Sequence, residues 1–537
     1  MIRKIINNQT KTVTGAAIVI GAASFVSKIM AVARDRIFAH QFGADEVLDI
    51  YFAAFRIPDT VYNLLVIGAL SAGFIPVFTK LVVKDRQEAW KITNSMINII
   101  GLSIIGICTI LYFFTPQLVK IIVPGFGPEE IKQTVMLTRI MFLSPFLLGL
   151  SSVISGALQS LKSFFVYSLT PIMYNFGIIF GALALVPFFG IKGLAFGVII
   201  GAILHLTIQL PTIVHHGFKY KFIFNLKNKH VKEIGKLMIP RTMGLAVHQV
   251  NWLVMTMLAS TLAAGSIAVF NYANNLQFFP VSIIGISFAL AAFPTLSKLA
   301  AEGNIKKISL QISGAVRQIL FFIIPIMVIF MLLRAQIVRI VLGTGQFDWQ
   351  DTILTMNTLA FFALSLFAQC IIPLLARGFY ALHDTWTPFF IGIISAIVNI
   401  VLGVLLKQYL GVVGLAFALS ISMIIQLVLL WVLLRIKIGG LNELSILQSI
   451  YKISIAAIVM ALVIQLIKPP LADMVNMTKF WGILIQGMIS GAIGTLIYLS
   501  ICYILKLKEI KLLSSSMKKK FLRVKNVQGE VGSADEI

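Results

Sequence analysis

Seven ionisable side chains fall where such groups are costly. Lys28, Arg34, Asp35 and Arg36, followed by Asp49, Arg56 and Asp59, lie in two otherwise apolar stretches near the start of the chain. On insertion scales a charge at the centre of a membrane helix costs roughly 2.5–3.5 kcal/mol, so it persists where it faces a cavity or a partner. Lys28 and Arg34 are six residues apart, which places them within about 120° of each other on a helix. The pattern predicts a cationic cavity lined by Lys28, Arg34 and Arg56, with Arg36 beside them and Asp35 and Asp49 orienting the cations. The chemistry is capture of an anion. Interfacial snorkelling with salt bridging is the competing reading for the stretch from Arg34 to Asp49.

The second half of the chain offers a different set. Between Leu237 and Phe347 the only carboxylate is Glu302, and from Thr352 to Gly440 it is Asp384. What remains there is Arg241, His248, Gln249, Asn251, Asn271, Asn274, Asn275 and Gln277. Asn271, Asn274 and Asn275 fall at i, i+3 and i+4, one helical face. Cations on one side and Arg241, Asn251, Asn271 and Asn275 on the other suit an anionic, hydrogen-bonding ligand. Interhelical hydrogen bonding is the alternative use of these amides. No Walker A loop, nucleophile elbow or HExxH occurs. The three cysteines, Cys108, Cys370 and Cys502, and the seven histidines lack metal-ligand spacing. A transporter with no cofactor is expected, not an enzyme.

The elements that must position these groups are membrane helices. The 537 residues are 58% hydrophobic and 12% charged, against about 25% charged in soluble domains. Apolar runs of about 20 residues, enough to cross a core of about 30 Å, recur throughout. The sequence predicts an all-α polytopic protein of about fourteen helices, near 13–39, 47–80, 88–113, 130–159, 164–187, 192–214, 238–262, 266–297, 309–335, 352–376, 386–407, 411–435, 447–467 and 480–505. The basic N-terminus before an apolar stretch is a signal-peptide pattern, but that stretch is too long and continues into charged residues, so an uncleaved first span is expected.

Three segments occur twice in one order. Gly190-Ile-Lys-Gly-Leu-Ala-Phe196 returns as Gly411-Val-Val-Gly-Leu-Ala-Phe417, Gln117–Val123 as Gln336–Leu342, and Pro76–Leu81 as Pro294–Leu299. The chain therefore reads as two copies of one six-helix unit plus an extension. The expected parts are an N-terminal lobe at 1–214, a linker at 215–237, a second lobe at 238–435, two extra helices within 436–505 and a basic tail at 506–537. With a cytoplasmic N-terminus, inner segments hold twenty-eight Lys and Arg and outer loops seven. This asymmetry predicts a plasma-membrane protein with both termini cytoplasmic and the repeats parallel.

The net charge of +24 is concentrated in those inner segments. It points to anionic inner-leaflet lipids, above all at the tail with Lys518-Lys519-Lys520, and not to nucleic acid. In the linker, Phe218, Tyr220, Phe222 and Phe224 alternate with lysines, as in a short amphipathic element in the membrane interface.

Several motifs together resemble the MurJ/MviN family. They are Ser27-Lys-Ile-Met-Ala-Val-Ala-Arg34-Asp35-Arg-Ile, Phe42-Gly-Ala, Asp49-Ile-Tyr-Phe-Ala-Ala-Phe-Arg-Ile-Pro58 and Gly68-Ala-Leu-Ser-Ala-Gly-Phe-Ile-Pro76. Pro124-Gly-Phe126, Phe293-Pro-Thr-Leu-Ser297, Gly378-Phe-Tyr380 and Asp384-Thr-Trp-Thr-Pro388 extend the likeness over about 13–505. The resemblance implies a fourteen-helix fold of the MATE-like flippase superfamily. It implies flipping of lipid II, the polyprenyl-pyrophosphate-linked peptidoglycan precursor, by alternating access, with the extra helices serving the lipid tail. The family's basic and acidic positions map onto Lys28, Arg34, Asp35 and Asp49, whereas two of its arginines fall on Tyr62 and Asn275. Arg56 or Arg241 then takes over their charge, or the head group differs. The alternatives are a flippase for another polyprenyl-linked oligosaccharide, a cation-coupled multidrug antiporter, and a membrane scaffold that recruits wall-synthesis proteins.

Overall fold

A computed structural model describes residues 13–67 and 73–510, with the side chains of 13–20, 67 and 239–241 outside the described set. The described residues are helical and contain no strand. In chain order the helices are α1 Val13–Phe42, α2 Glu46–Tyr62, α3 Ile75–Lys84, α4 Arg86–Ile122, α5 Pro128–Ser160, α6 Phe164–Phe189, α7 Lys192–His215, α8 Lys229–Ser260 and α9 Ser266–Ala301. They continue as α10 Ile305–Leu332, α11 Arg334–Val341, α12 Trp349–Ala363, α13 Leu366–Ala381, α14 Trp386–Leu410, α15 Val412–Ile438, α16 Glu443–Met474 and α17 Phe480–Ile504.

Among the described residues ten helices are long and apolar enough to span a bilayer, or eleven if α12 and α13, bent by 44°, make one broken span. The exact count of fourteen is not reached this way. Helices α1, α2 and α8, which carry most of the candidate site residues, stand where the other three spans are expected.

Local chemistry sets the helix ends. Asp45 caps α2 by accepting the Glu46 N–H at 2.8 Å. Asp85 caps α4 through the N–H groups of Gln87 and Glu88. Asn228 caps α8 through the His230 N–H. Such caps satisfy donors that the helix itself leaves open. Helix α8 begins at Lys229, so the last third of the expected linker is helical. Residues 218–228 form no helix, and the expected amphipathic element is an irregular segment with a turn at 226–227.

The repeat is visible in the backbone. Gly43 and Gly265, Lys162 and His383, Gly190 and Gly411, and Gly217 and Gly439 form four pairs in the left-handed region, each 221 or 222 residues apart. Lys162 and His383 adopt this conformation although L side chains disfavour it. A π-helical turn at Asn63–Ile67 in the first copy has a counterpart at Val281–Ile286 in the second. Pro58 and Pro280 lie just before these turns.

The contacts divide the chain into two compact units. One comprises the described parts of Met1–Ala273 with Val341–Thr358 and Gly392–Ala418, and the other those of Asn274–Ile340, Leu359–Ile391 and Leu419–Ile537. In the first, α6 and α7 meet through glycines: a Cβ on Gly177, Gly181 or Gly197 would strike the backbone of the facing helix. Ser151 and Ser155 of α5 form a buried network there with His205 and Gln209 of α7. In the second, Ser365 bonds Ser420 at 2.9 Å and Gln369 bonds both Ser365 and Gln277. The second unit's core includes Ile312, Ile319, Phe321, Leu374, Phe379 and Tyr498. Cys108, Cys370 and Cys502 are buried free thiols.

Candidate functional site

The charged residues of α1 and α2 lie in the first unit. Arg34 turns onto its neighbour: its Nε and Nη2 both donate to Asp35 Oδ1, at 3.0 and 2.7 Å. Its Nη1 donates to Asn175 Oδ1 on α6 at 3.3 Å. Asn175 is itself held, its Nδ2 donating to the Pro171 carbonyl one turn earlier at 2.9 Å. Asp35 is 5% exposed. A guanidinium has five N–H donors, and these contacts engage three. The remaining two have no acceptor among the described contacts. Lys28, six residues earlier on α1, is half-buried.

Arg56 forms a second centre. Its Nη2 donates to Asn271 Oδ1 at 2.7 Å, and its guanidinium carbon lies 5.0 Å from the centre of the Trp252 ring. Trp252 packs edge-to-face on Phe270 and donates its indole N–H to His248 Nε2 at 3.0 Å. The Nε of Arg56 is buried with no hydrogen-bond partner. A buried unmet donor is costly, and an anionic oxygen would satisfy it. Four residues along from Arg56, Thr60 bonds back to the Arg56 carbonyl, and Asn63 bonds the Asp59 carbonyl.

Asp49 has a different occupation. Its two carboxylate oxygens accept the N–H groups of Gly265 at 2.8 Å and Ala268 at 2.7 Å. It thereby caps the start of α9 and is buried; the positive end of a helix favours such a carboxylate. Arg36 donates Nη1 to the Val341 carbonyl at 3.2 Å. Around it, His40 meets Thr344 at 3.1 Å, the Gln346 N–H bonds the His40 carbonyl, and Asp351 accepts the Ala44 N–H at 2.9 Å.

The predicted set thus separates into Arg34 with Asp35, Arg56 with Asn271, and Asp49 and Arg36 on backbone partners. Asn251 Oδ1 accepts from Asn399 Nδ2 at 2.9 Å, an interhelical bond between α8 and α14. Asn275 is exposed on α9, and Asn274 accepts from Gln277 at 3.1 Å. The side chain of Arg241 lies outside the described residues. Tyr62, at one family arginine position, pairs its hydroxyl with Ser152 Oγ at 3.0 Å. Sequence reasoning missed Asn175 and Trp252. For Asn175 the available signal was an amide in an apolar run, four residues after a proline.

Comparison with known proteins gives a family match over residues 38–484, to the family described as Lipid II flippase MurJ. The probable lipid II flippase MurJ of Vibrio cholerae is 30% identical over 440 residues, covering 79% of this chain and 83% of that protein. A namesake from Buchnera aphidicola subsp. Acyrthosiphon pisum is 30% identical over 474 residues, covering 86% and 90%. A solved lipid II flippase MurJ in an inward closed conformation matches with a TM-score of 0.75 and 28% identity, over 90% of this chain and 99% of that one. An inward-facing multidrug MATE transporter matches at a TM-score of 0.67 and 14% identity, over 80% and 99%, which speaks for the fold alone. The family match spans most of the chain and takes in Asp49, Arg56, Asn175 and Asn271, so this multi-pass membrane protein belongs to the MurJ family.

Proposed function

We infer that the chain flips lipid II, the lipid-linked peptidoglycan precursor, from the inner to the outer leaflet of the bacterial plasma membrane. The observation that carries this is the family match over residues 38–484. Arg34 supports it, because it is oriented by Asp35 and Asn175 with two N–H donors left over. A pyrophosphate offers oxygens to such a fork, and planar bidentate recognition favours arginine. Lys28 supplies a second charge one and a half turns away. Arg56 stands in for the cations replaced at Tyr62 and Asn275, and its orphan Nε is the unmet donor. Asn271 holds it and Asp49 fixes the helix that carries Asn271. On this reading Arg36, Asn251 and Arg241 lie beside the pathway.

The proposed architecture has α1, α2 and α8 crossing the membrane with the ten or eleven apolar spans, and both termini cytoplasmic. Lobes at 1–214 and 238–435 alternate in access, and the pair at 436–505 serves the polyprenyl tail. The basic tail contacts anionic lipid; beyond residue 510 it lies outside the described residues.

Complementation tests this reading. In a bacterium depleted of its own lipid II flippase, the wild-type chain should restore growth, and Lys28→Ala and Arg34→Ala should not. Growth restored equally by all three would remove the cationic site from the mechanism. No growth despite full membrane expression would assign the chain to another polyprenyl-linked head group, with Tyr62→Arg plus Asn275→Arg as the variant to build.

A further inference from the structure

The segment that joins α7 to α8 is not a free tether. Asn94 and Asn98, buried and one turn apart on α4, hold its backbone as a neighbouring strand would. Asn94 donates Nδ2 to the Lys219 carbonyl and accepts the Lys221 N–H, both at 3.0 Å. Asn98 donates to the carbonyls of Lys221 and Ile223 and accepts the Tyr220 hydroxyl at 2.8 Å. Phe218 anchors the near end on Trp90, which also packs on Phe78. Asn228 fixes the far end by donating to Glu88 at 3.1 Å, and Arg86 bonds the His216 carbonyl.

So fixed, the segment turns its apolar groups outward. Tyr220, Phe222, Phe224 and Leu226 are 60%, 71%, 49% and 53% exposed. Lys219, Lys221, Lys227 and Lys229 are exposed before, between and after them, and residues 218–229 contain no carboxylate. Depth follows from the length of α4. Its 37 residues rise about 55 Å, against a hydrocarbon core of about 30 Å. The excess places Asn94 and Asn98, two to three turns from its start, near the headgroup level. Aromatic rings interleaved with lysines at that depth match an anionic lipid surface, the rings entering the headgroup–acyl boundary and the ammonium groups meeting phosphates.

We propose that residues 218–229 form a ribbon, clamped on α4 by Asn94 and Asn98, that docks on anionic glycerophospholipid. The inference does not depend on which molecule the chain transports. Because the three native cysteines are buried, Phe222→Cys in the full chain can carry a nitroxide at one site. Reconstitution compares phosphatidylcholine vesicles with and without phosphatidylglycerol. With phosphatidylglycerol the label should relax more with oxygen than with a water-soluble nickel complex. Lys219→Gln, Lys221→Gln and Lys227→Gln together should lower that ratio at least about twofold. Phe224→Cys gives the same readout should the first variant fold poorly. Equal insertion in both vesicle types would overturn the anionic preference. A label open to nickel in both would overturn docking altogether and mark the ribbon as a surface for a soluble partner.

Discussion

At the scale of single residues, charge is held by amides. Arg34 leans on Asn175 and Arg56 on Asn271, and each amide is fixed by a carbonyl one turn earlier, of Pro171 and Ile267 respectively. A hydrogen bond to a charged group is worth about 1.5–3 kcal/mol. Asn271→Ala should therefore destabilise the protein by about that much, because it leaves a half-buried guanidinium with one partner fewer. In a double-mutant cycle with Arg56→Met, the second change should add little once the first is made, as read by thermal unfolding in detergent. Additive losses would show that the two side chains stabilise the fold separately. The cations were legible in the sequence because a charge in an apolar run must be explained. Their partners were not, since an amide has many uses and nothing in the order of residues brings Asn175 to Arg34 across 141 positions. Asp49 shows the same limit: its partners are backbone N–H groups more than 200 residues away, which no side-chain pattern encodes.

At the scale of elements, the repeat makes one joint in two chemistries. Ser163, after the left-handed Lys162, meets His216 Nε2 at 2.9 Å at the end of α7. Asp384, after the left-handed His383, meets Lys437 at 2.6 Å at the end of α15. Both partners recur 221 residues on, so a neutral hydrogen bond in one copy is an ion pair in the other. Burial, with His215 and Arg86 nearby, pushes the His216 pKa down. Its contribution is therefore present above the unfolded value, about 6.5, and is lost as pH falls through the lower folded value. Burial works against ionisation of Asp384, but Lys437 and the Thr387 amide and hydroxyl outweigh it and hold its pKa below the usual carboxylate value. That contribution is present above about 3.9 and is lost only at still lower pH. Protection factors, with the intrinsic acid slowing of exchange divided out, should thus fall first at residues 161–163 and 216–218, and at 382–387 only below about pH 4. Opening of both joints together, or of the second first, would refute the assignment. The helices themselves were readable from apolar runs and the repeat from matched motifs. The π turns, the 44° bend between α12 and α13 and the irregular course of the linker were not. The linker's course is set by Asn94 and Asn98 of α4, more than 120 residues away in sequence, where local propensity is a weak guide.

At the scale of the whole molecule, the charges of the first two helices bear on what drives transport. Leaving out Glu46, which is exposed at the first residue of α2, Lys28, Arg34, Arg36 and Arg56 stand with Asp35, Asp49 and Asp59, a formal excess of one positive charge. A pyrophosphate diester carries about two negative charges, so the loaded site would hold about one net negative charge and the empty site one positive. With the cell interior negative, the field would push the loaded site outward and draw the empty site back. A charge crossing the full field gains about 2.3 kcal/mol per 100 mV, and both halves of a cycle would benefit. Asp59→Asn tests this, since it removes one negative charge beside Arg56, raising the site charge by one, while the amide keeps an acceptor for the Asn63 side chain. In vesicles with an imposed potassium diffusion potential, the wild type should flip its lipid faster as the interior becomes more negative. In Asp59→Asn the loaded site would be neutral, and outward flipping in a single turnover should lose that dependence while the return step keeps it. A variant whose outward step responds as steeply as the wild type would mean that the charges of α1 and α2 stay still in the field, and that the drive enters elsewhere.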